Sequence, residues 1–337
     1  MVTSSPFPAA LGLAPEQVAE VVRLAGRAPS LHNRQPWRFR ITPELIELHA
    51  DPARRMPATD PQDRELRLGC GAALCNLRLA LAHLGVRPLV TLLPSASDPG
   101  LLAQVRRGGS VRIGAEQSAL LRAIPERRTN RRPFLPSPVP RSHRNRLVGA
   151  VATDHAWLHV VERAQRAELL GLVRRAHDEQ LADAEFRREM ARWTGLDTTA
   201  REGVPARAAG PLPEPQDEWV RRDFSGGRGR NRVPGKDFED DPLTAVLCAY
   251  GQDRQADLET GQALQRLLLT ATSLGLAASF LSQVVEVRET RVQLRSMLGG
   301  VLEPQAVLRI GYGTPVPETP RRDPAELLMN AEPAVSG

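Results

Sequence analysis

Cysteine, lysine and aromatic residues are all scarce in this sequence of 337 residues. The three cysteines, Cys70, Cys75 and Cys248, are odd in number and have no C-x-x-C spacing, which argues against a disulfide framework or a zinc site. We therefore predict that they are small buried side chains. Lys236 is the single lysine among 45 basic residues, so nearly all of the positive charge is carried by arginine.

Long apolar runs and concentrated basic segments are also missing. No stretch is apolar for the roughly eighteen residues that a span needs, and residues 1–14 have no basic segment before an apolar core. The sequence therefore predicts neither a membrane span nor a secretory signal, and we expect a cytoplasmic protein. The net charge of +6 is spread along the chain among 39 carboxylates, which disfavours nucleic acid as a partner.

Three catalytic signatures are absent as well. The sequence has no Ser-His-Asp order, no H-E-x-x-H metal motif, and no G-x-G-x-x-G loop after a predicted strand. The last absence argues against a built-in Rossmann site for NAD(P). We expect no metal. With 41% apolar residues, the chain is long enough for two modest domains or one large one.

The most informative stretch runs from Arg27 to Phe39 and reads R-A-P-S-L-H-N-R-Q-P-W-R-F. Small or rigid residues precede Asn33, so the backbone can approach a flat ligand closely, and Ser30 and Asn33 supply short polar side chains. The apolar spacing predicts a helix over 15–26 before this stretch and a β-hairpin of 37–41 and 45–49 after it. Trp37 is predicted to anchor the hairpin in the core, and His32 to be an exposed loop residue.

About a hundred residues later, an arginine cluster over 126–134 reads E-R-R-T-N-R-R-P-F. Such a cluster suits a phosphate. Together with the A-P-S-x-x-N-x-Q-P-W-x-F pattern of the first stretch, it resembles the FMN-dependent nitroreductases, and in particular their Acg-type branch, in which two nitroreductase-like halves are fused in one chain. The resemblance implies an α+β, nitroreductase-like fold with FMN as the cofactor.

The resemblance also implies which residues bind FMN in the first half of the chain. Pro29, Ser30, Leu31 and Asn33 match the family segment that contacts FMN across the subunit interface. No catalytic residue is implied, because in this chemistry the cofactor carries out the difficult step.

In the second half, Arg128 and Arg132 match positions that serve the phosphate or ribityl chain and the flavin O2 side, and Arg322 matches a further phosphate-binding arginine. Leu281 and Ser282 match a turn that presents backbone amides to the flavin N5. One polar position has two candidates, Thr129 and Asn130, because the cluster can be aligned on Arg127-Arg128-Thr129 or on Phe134. Arg127 and Arg131 are weaker candidates than Arg128 and Arg132.

An internal repeat relates two apolar stretches that lie 190 positions apart, and both are predicted to be buried central helices. We infer a duplication in which 1–125 forms the first half and 126–337 the second. The identities pair Gly71, Ala73, Leu74, Leu77, Leu79, Leu84 and Gly85 with Gly261, Ala263, Leu264, Leu267, Leu269, Leu274 and Gly275.

The two predicted halves are not equivalent. The first half has the P-S-x-x-N loop but no arginine cluster before it, whereas the second half has the cluster but lacks Pro-Ser and Asn in the corresponding loop at 151–157. We therefore predict a single FMN per chain, bound between the halves. One chain would then mimic the family homodimer as a monomer, and a higher oligomer is left open.

Residues 195–242 differ from the rest of the chain. Gly, Pro, Arg and Asp dominate there, with scattered aromatic residues such as Trp219, Phe224 and Phe238. Because unstructured loops of this length are uncommon unless they are disordered or functional, we predict a lid over the flavin with short helical turns. One long charged helix, from about 163 to 193, is predicted before it.

The function implied by the resemblance is that of a flavin oxidoreductase. FMN would be reduced by a transient donor, NADH or NADPH, and would pass electrons to a small organic acceptor such as a nitro compound or a quinone. The alternative is an FMN storage or sequestering protein without turnover, since a lid over the flavin serves either role. An oxidase or desaturase acting on a biosynthetic intermediate is a weaker third option.

Overall fold

The computed structural model describes residues 6–152, 155–197, 199–229, 232, 239 and 242–329. The helices in these residues are α1 Pro15–Ala25, α2 Arg64–His83, α3 Ala115–Glu126, α4 Arg141–Val151, α5 Arg166–Ala182, α6 Ala184–Trp193, α7 Arg254–Ser273, α8 Gln283–Glu286 and α9 Arg288–Met297. The strands are β1 Trp37–Ile41, β2 Leu45–Ala50, β3 Val86–Leu92, β4 Leu101–Ser110, β5 Ala156–Val160, β6 Thr194–Leu196, β7 Val204–Pro205, β8 Leu243–Ala249, β9 Ala277–Phe280 and β10 Glu303–Gly311.

Most of the strands form two four-stranded antiparallel sheets. The first sheet has the order β1-β2-β4-β3, and the second has the order β5-β8-β10-β9. If β5, β8, β9 and β10 are matched in chain order with β1 to β4, the two orders are identical. The long helix α2 follows β2 in the first sheet, and α7 follows β8 in the second. The α+β fold class is thus confirmed, and the matching topology supports the predicted duplication.

The two long helices, α2 and α7, cross in direct backbone contact. A Cβ atom at Gly71 would lie 2.3 Å from the carbonyl oxygen of Leu258, and one at Gly261 would lie 2.3 Å from that of Leu68. The two contacts are equivalent under the 190-residue offset, which relates Gly71 to Gly261 and Leu68 to Leu258. Glycine at each position lets the helices approach more closely than any side chain would allow. Both helices are largely buried, as predicted.

The core around these helices follows the sequence patterns. Trp37 is fully buried in β1, which confirms its role as an anchor of the hairpin. Cys70, Cys75 and Cys248 are also buried, and none of them forms a disulfide. Arg67 and Asp257 form an ion pair at 2.8 Å between α2 and α7, so the charged side chains at this seam are matched.

The single helix predicted over 163–193 is wrong, because the structure has two helices there. At Asp183 the backbone is extended, and the side chain accepts a hydrogen bond of 2.8 Å from the Glu185 amide. Aspartate at such an N-cap position satisfies an amide that a continuous helix would bond internally. The boundary expected after residue 125 falls in the last turn of α3. The sequence patterns did not predict this helix.

Membrane and metal features can be judged for the described residues only. None of the helices in the described ranges has both the length and the apolar character needed to cross a bilayer. Nor do His, Cys, Asp and Glu side chains cluster as metal ligands in this part of the chain. Phe238, one of the aromatic residues of the predicted lid, lies outside the described residues.

Candidate functional site

The P-S-x-x-N loop follows α1 and has an unusual backbone. His32, Asn33 and Gln35 have φ angles of 49°, 56° and 52°, in the left-handed region that non-glycine residues rarely occupy. Each such residue costs about 1 kcal/mol or more, so surrounding bonds must hold it. One of these bonds runs from the Gln35 amide to Ser30 Oγ at 2.9 Å.

The Asn33 side chain joins three distant segments. Its Nδ2 donates to the carbonyl oxygens of Gly203 at 3.0 Å and Pro320 at 2.9 Å, and its Oδ1 accepts from Arg321 Nη1 at 2.7 Å. All of its polar atoms therefore have protein partners. Asn33 positions the loop against the lid segment and the C-terminal segment.

A cavity of about 70 Å³ lies beside this loop. Its wall is formed by the loop, the start of α2, the arginine cluster, β9 with the residues after it, and the segments around Phe224 and Arg321. Six of the predicted cofactor-binding residues line it, namely Pro29, Ser30, Leu31, Asn33, Thr129 and Ser282. The structure thus brings together residues more than 200 positions apart in the chain.

The arginine cluster passes the cavity as an extended chain. Thr129 forms a parallel bridge with Ala278, at the edge of the second sheet beside β9. Successive side chains of an extended chain point to opposite sides. Arg127, Thr129 and Arg131 accordingly line the cavity. Of the two candidates for the polar position, Asn130 points away and donates to the Thr314 carbonyl oxygen at 3.2 Å.

The remaining predicted residues lie outside the wall of this cavity. Arg128 pairs with Glu318 at 3.2 Å, and Arg132 donates to the Pro315 carbonyl oxygen at 3.1 Å. Arg322 donates to the Glu326 carbonyl oxygen at 2.7 Å. The Leu281 amide is already bonded to the Val307 carbonyl oxygen at 2.8 Å.

Three arginines at the cavity, one buried and two partly buried, have no acidic partner among the described residues. Arg127, Arg131 and Arg321 donate only to neutral oxygens, such as the Arg27 and Ala208 carbonyls and the Asn33 side chain. The Nε atoms of Arg127 and Arg321 have no hydrogen-bond partner in the described part of the chain. Unpaired buried cations are costly, so this arrangement favours an anionic ligand.

The pKa values of the three guanidinium groups reflect the same situation. Burial, followed by repulsion from neighbouring arginines, lowers the pKa of Arg127 to about 10 and that of Arg321 to about 9. Burial alone lowers the pKa of Arg131 to about 10. All three groups remain charged at neutral pH, and a bound anion would relieve both effects.

Side chains of the predicted lid reach the cavity. The Phe224 ring lies 4.7 Å from the Arg131 guanidinium carbon and 5.9 Å from the His32 ring. His32 was predicted to be exposed, but it is buried, because the lid segment covers the loop. Its pKa lies well below the usual range because of burial first and then the charges of Arg222 and Arg131. The imidazole is therefore neutral at pH 7.

Comparison with known proteins identifies the family. A protein of Mycobacterium tuberculosis (strain ATCC 25618 / H37Rv), named "Putative NAD(P)H nitroreductase Rv3131", is 35% identical over 327 residues, which cover 93% of this chain and 91% of the relative. A second, "Putative NAD(P)H nitroreductase acg" from the same organism, is 33% identical over 310 residues, which cover 90% and 93%. The chain belongs to the nitroreductase family, in its Acg-type branch. No protein-family model matches it.

Solved nitroreductase structures overlap with part of this nitroreductase-family chain. A nitroreductase with bound FMN from Bacteroides fragilis NCTC 9343 covers 58% of this chain and 88% of its own, at 15% identity and a TM-score of 0.36. The FMN-dependent nitroreductase NfnB from Mycobacterium smegmatis, in complex with NADPH, covers 60% and 94%, at 18% identity and a TM-score of 0.37.

Proposed function

We propose that this protein is an FMN-dependent oxidoreductase that takes a hydride from NADH or NADPH and reduces a small organic acceptor, such as a nitro compound or a quinone. Membership of the nitroreductase family supports the reaction class. The names of the two mycobacterial relatives support a nicotinamide donor. The observation that carries the proposal is the set of three buried or partly buried arginines at one cavity that have no acidic partner in the part of the chain that the structure describes.

The chemistry of the cavity wall fits FMN. Arg127, Arg131 and Arg321 supply the cations that a phosphate and an electron-rich flavin edge require, and the Ser30 and Thr129 side chains supply hydroxyl groups. Leu68, Leu264 and Phe280 add an apolar surface for a flat ring system. When bound, FMN would supply the hydride transfer itself, and the protein would bind and orient it.

The size of the cavity requires the lid to move. Pockets for molecules of this class measure several hundred Å³, roughly 300–1,000 Å³, whereas this cavity holds about 70 Å³. Phe224 and Arg222 are the lid side chains in its wall. We propose that this segment opens to admit FMN and then covers it.

We further propose that the two halves arose by duplication and share one FMN site per chain. The identical strand orders and the Gly71–Gly261 crossing support the duplication. The loop residues at the cavity come from the first half, and Arg127, Arg131 and Arg321 come from the second. The chain would thereby act as a pseudo-dimer.

Arginine substitutions test the placement of the phosphate. A charge-assisted contact contributes roughly 1.5–3 kcal/mol, so Arg127→Ala and Arg321→Ala should each weaken FMN binding by about 10- to 150-fold. Binding of riboflavin, which lacks the phosphate, should change little, and this control separates phosphate binding from misfolding. Arg128→Ala and Arg322→Ala are matched controls with side chains outside the cavity, and we expect less than about a threefold change.

Titration of the apoprotein with FMN and with riboflavin would measure these affinities. Losses confined to Arg128→Ala and Arg322→Ala would show that the phosphate lies where the family pattern first indicated. Two equivalents of FMN per chain would contradict the single-site proposal.

The second candidate function is storage or sequestration of FMN. The bonds that hold the lid segment to the loop favour it: Asn33 bonds to Gly203, and Gln35 Nε2 donates to the Arg201 carbonyl oxygen at 3.0 Å. Anaerobic addition of NADH and NADPH to FMN-loaded protein separates the two functions. Bleaching of the oxidised-flavin absorption within seconds supports the oxidoreductase. Persistent yellow colour with excess of both donors supports storage.

A further inference from the structure

One carboxyl group is present in the wall of the cavity, among the described residues that line it, and it belongs to Glu65. Glu65 is the second residue of α2, and its backbone amide donates to Asp60 Oδ1 at 3.1 Å. Its carboxyl makes no hydrogen bond or ion pair with any described residue. The Glu65 side chain is partly exposed on the side that faces the cavity and is surrounded by other parts of the protein on its remaining sides.

Two carboxylates near Glu65 oppose its ionisation. Asp60, in the turn before α2, is paired with buried Arg34 at 2.8 Å, and Glu286, in α8, is paired with Arg222 at 2.8 Å. Both of these carboxylates therefore have a cation to stabilise their charge, whereas Glu65 has none in contact within the described ranges of the chain.

Burial, followed by repulsion from Glu286 and Asp60, raises the pKa of Glu65 to about 8. The charges of Arg64, in α2, and Arg34, beside the loop, lower the pKa of Glu65, but their effects are smaller. His32, the other titratable non-arginine side chain in the described wall, is neutral. At neutral pH the cavity thus holds one protonated carboxylic acid opposite a set of permanent cations.

We propose that Glu65 donates a proton to the organic acceptor during its reduction in this cavity. This inference rests on the proposed oxidoreductase function. A quinone that receives a hydride from the reduced cofactor becomes a hydroquinone anion. The O–H bond of Glu65 then breaks, a new O–H bond forms on the acceptor oxygen, and the Glu65 carboxylate recovers its proton from solvent. A nitro group that receives a hydride needs one proton to give the nitroso compound and release water, and Glu65 supplies that proton.

The test compares Glu65→Gln with Glu16→Gln. Glu16 is also the second residue of its helix, α1, but it is exposed and far from the described cavity wall. Stopped-flow mixing of pre-reduced, FMN-loaded protein with a benzoquinone should show about a 100-fold slower acceptor reduction for Glu65→Gln at pH 7, the scale of general acid catalysis. The wild-type rate should fall about tenfold per pH unit above pH 8, whereas the variant should be flat there. Glu16→Gln should match the wild type.

Two further readouts separate a proton donor from a structural residue. FMN affinity and the rate of flavin reduction by the nicotinamide donor should be unchanged within about twofold in Glu65→Gln. Infrared spectra of the apoprotein should contain a protonated-carboxyl band at pH 7 that is absent from Glu65→Gln and that disappears as the pH rises through about 8. The infrared measurement stands even if the variant binds FMN poorly.

Each contrary result has a distinct meaning. Equal rates and equal pH profiles for wild type and Glu65→Gln would overturn the role of Glu65 and leave the oxidoreductase function intact. Absence of the variant-sensitive infrared band would also overturn the role. If the wild type binds FMN but reduces no acceptor, the proposed function fails, and the proton donation fails with it.

Discussion

The crossing of α2 and α7 predicts that Gly71→Ala will destabilise the protein although alanine is the better helix former. The new Cβ would lie 2.3 Å from the carbonyl oxygen of Leu258, where ordinary contact begins at 3.4 Å. The helices would have to separate by about 1.1 Å at this point. Neither atom can swing aside, because the carbonyl oxygen belongs to the rigid helix backbone and the Cβ is bonded directly to it.

Two opposing terms set the magnitude. Replacing glycine by alanine inside a helix contributes about 0.8–1.0 kcal/mol of stability. Overpacking costs about 1–3 kcal/mol or more, and a gap of up to 1 Å along the seam forfeits a quarter to a half of each nearby van der Waals contact. Because the clash is with helix backbone, the overpacking cost is taken at about 3 kcal/mol, which leaves a net loss of about 2 kcal/mol. At about 2.1 cal/mol/K per residue, this lowers the Tm of a 337-residue chain by roughly 3 °C.

Gly149 in α4 and Gly171 in α5 provide matched controls, because a Cβ at either position meets nothing within 4 Å. Gly149→Ala and Gly171→Ala should raise stability by about 0.5–1 kcal/mol. Gly261→Ala should resemble Gly71→Ala, and the double variant should lose less than the two losses together, because one separation relieves both clashes. Chemical and thermal denaturation of all the variants measures these differences.

The reasoning would be refuted if Gly71→Ala were as stable as Gly171→Ala. That result would mean that the Cβ at position 71 lies farther than 2.3 Å from the Leu258 carbonyl oxygen, or that α2 and α7 can separate at little cost in stability. Full additivity in the double variant would contradict the view that both glycines serve a single contact.

Two other predictions concern the cavity. Phe224→Ala should speed FMN association and expose bound flavin to iodide quenching, because it removes the lid ring that packs on Arg131, whereas Gln216→Ala, at an exposed lid position, should do neither. The apoprotein should lose stability as the pH rises from about 4.5 to 8, because the folded-state pKa of Glu65 is about 8 and the ordinary value is 4.5. The loss is up to about 5 kcal/mol and should be missing from Glu65→Gln, so parallel pH–stability curves for the two proteins would contradict it.

The repeated helices were predictable because their periodic apolar pattern reflects burial on most faces. The paired glycines at 71 and 261 also mark a close backbone contact between α2 and α7, since glycine in a helix costs stability unless a close approach requires it. The break between α5 and α6 was missed because the charged pattern continues through it. An aspartate followed by helix-forming residues was the available signal.

The cavity itself was only partly predictable. The loop residues lie together in the cavity wall, because their motif specifies a local structure. In the cluster, the structure places Arg127 and Arg131, rather than Arg128 and Arg132, in the wall. Side chains of an extended chain alternate between two sides, so the sequence indicated that every second residue would face the cavity. Which set faces it depends on the bridge from Thr129 to Ala278, and no local pattern encodes that bridge. Glu65 and Arg321 reach the cavity through tertiary contacts alone.

The bond between Asn33 and Arg321 has a consequence for biosynthesis. The two residues are 288 positions apart, and at about 5–20 residues per second the ribosome adds the second roughly 15–60 s after the first. During that interval the loop lacks one of the partners that hold its left-handed residues. A nascent chain released before this arginine would lack one of the three cations of the proposed phosphate site, so on that proposal retention of the cofactor would report that translation had passed this residue.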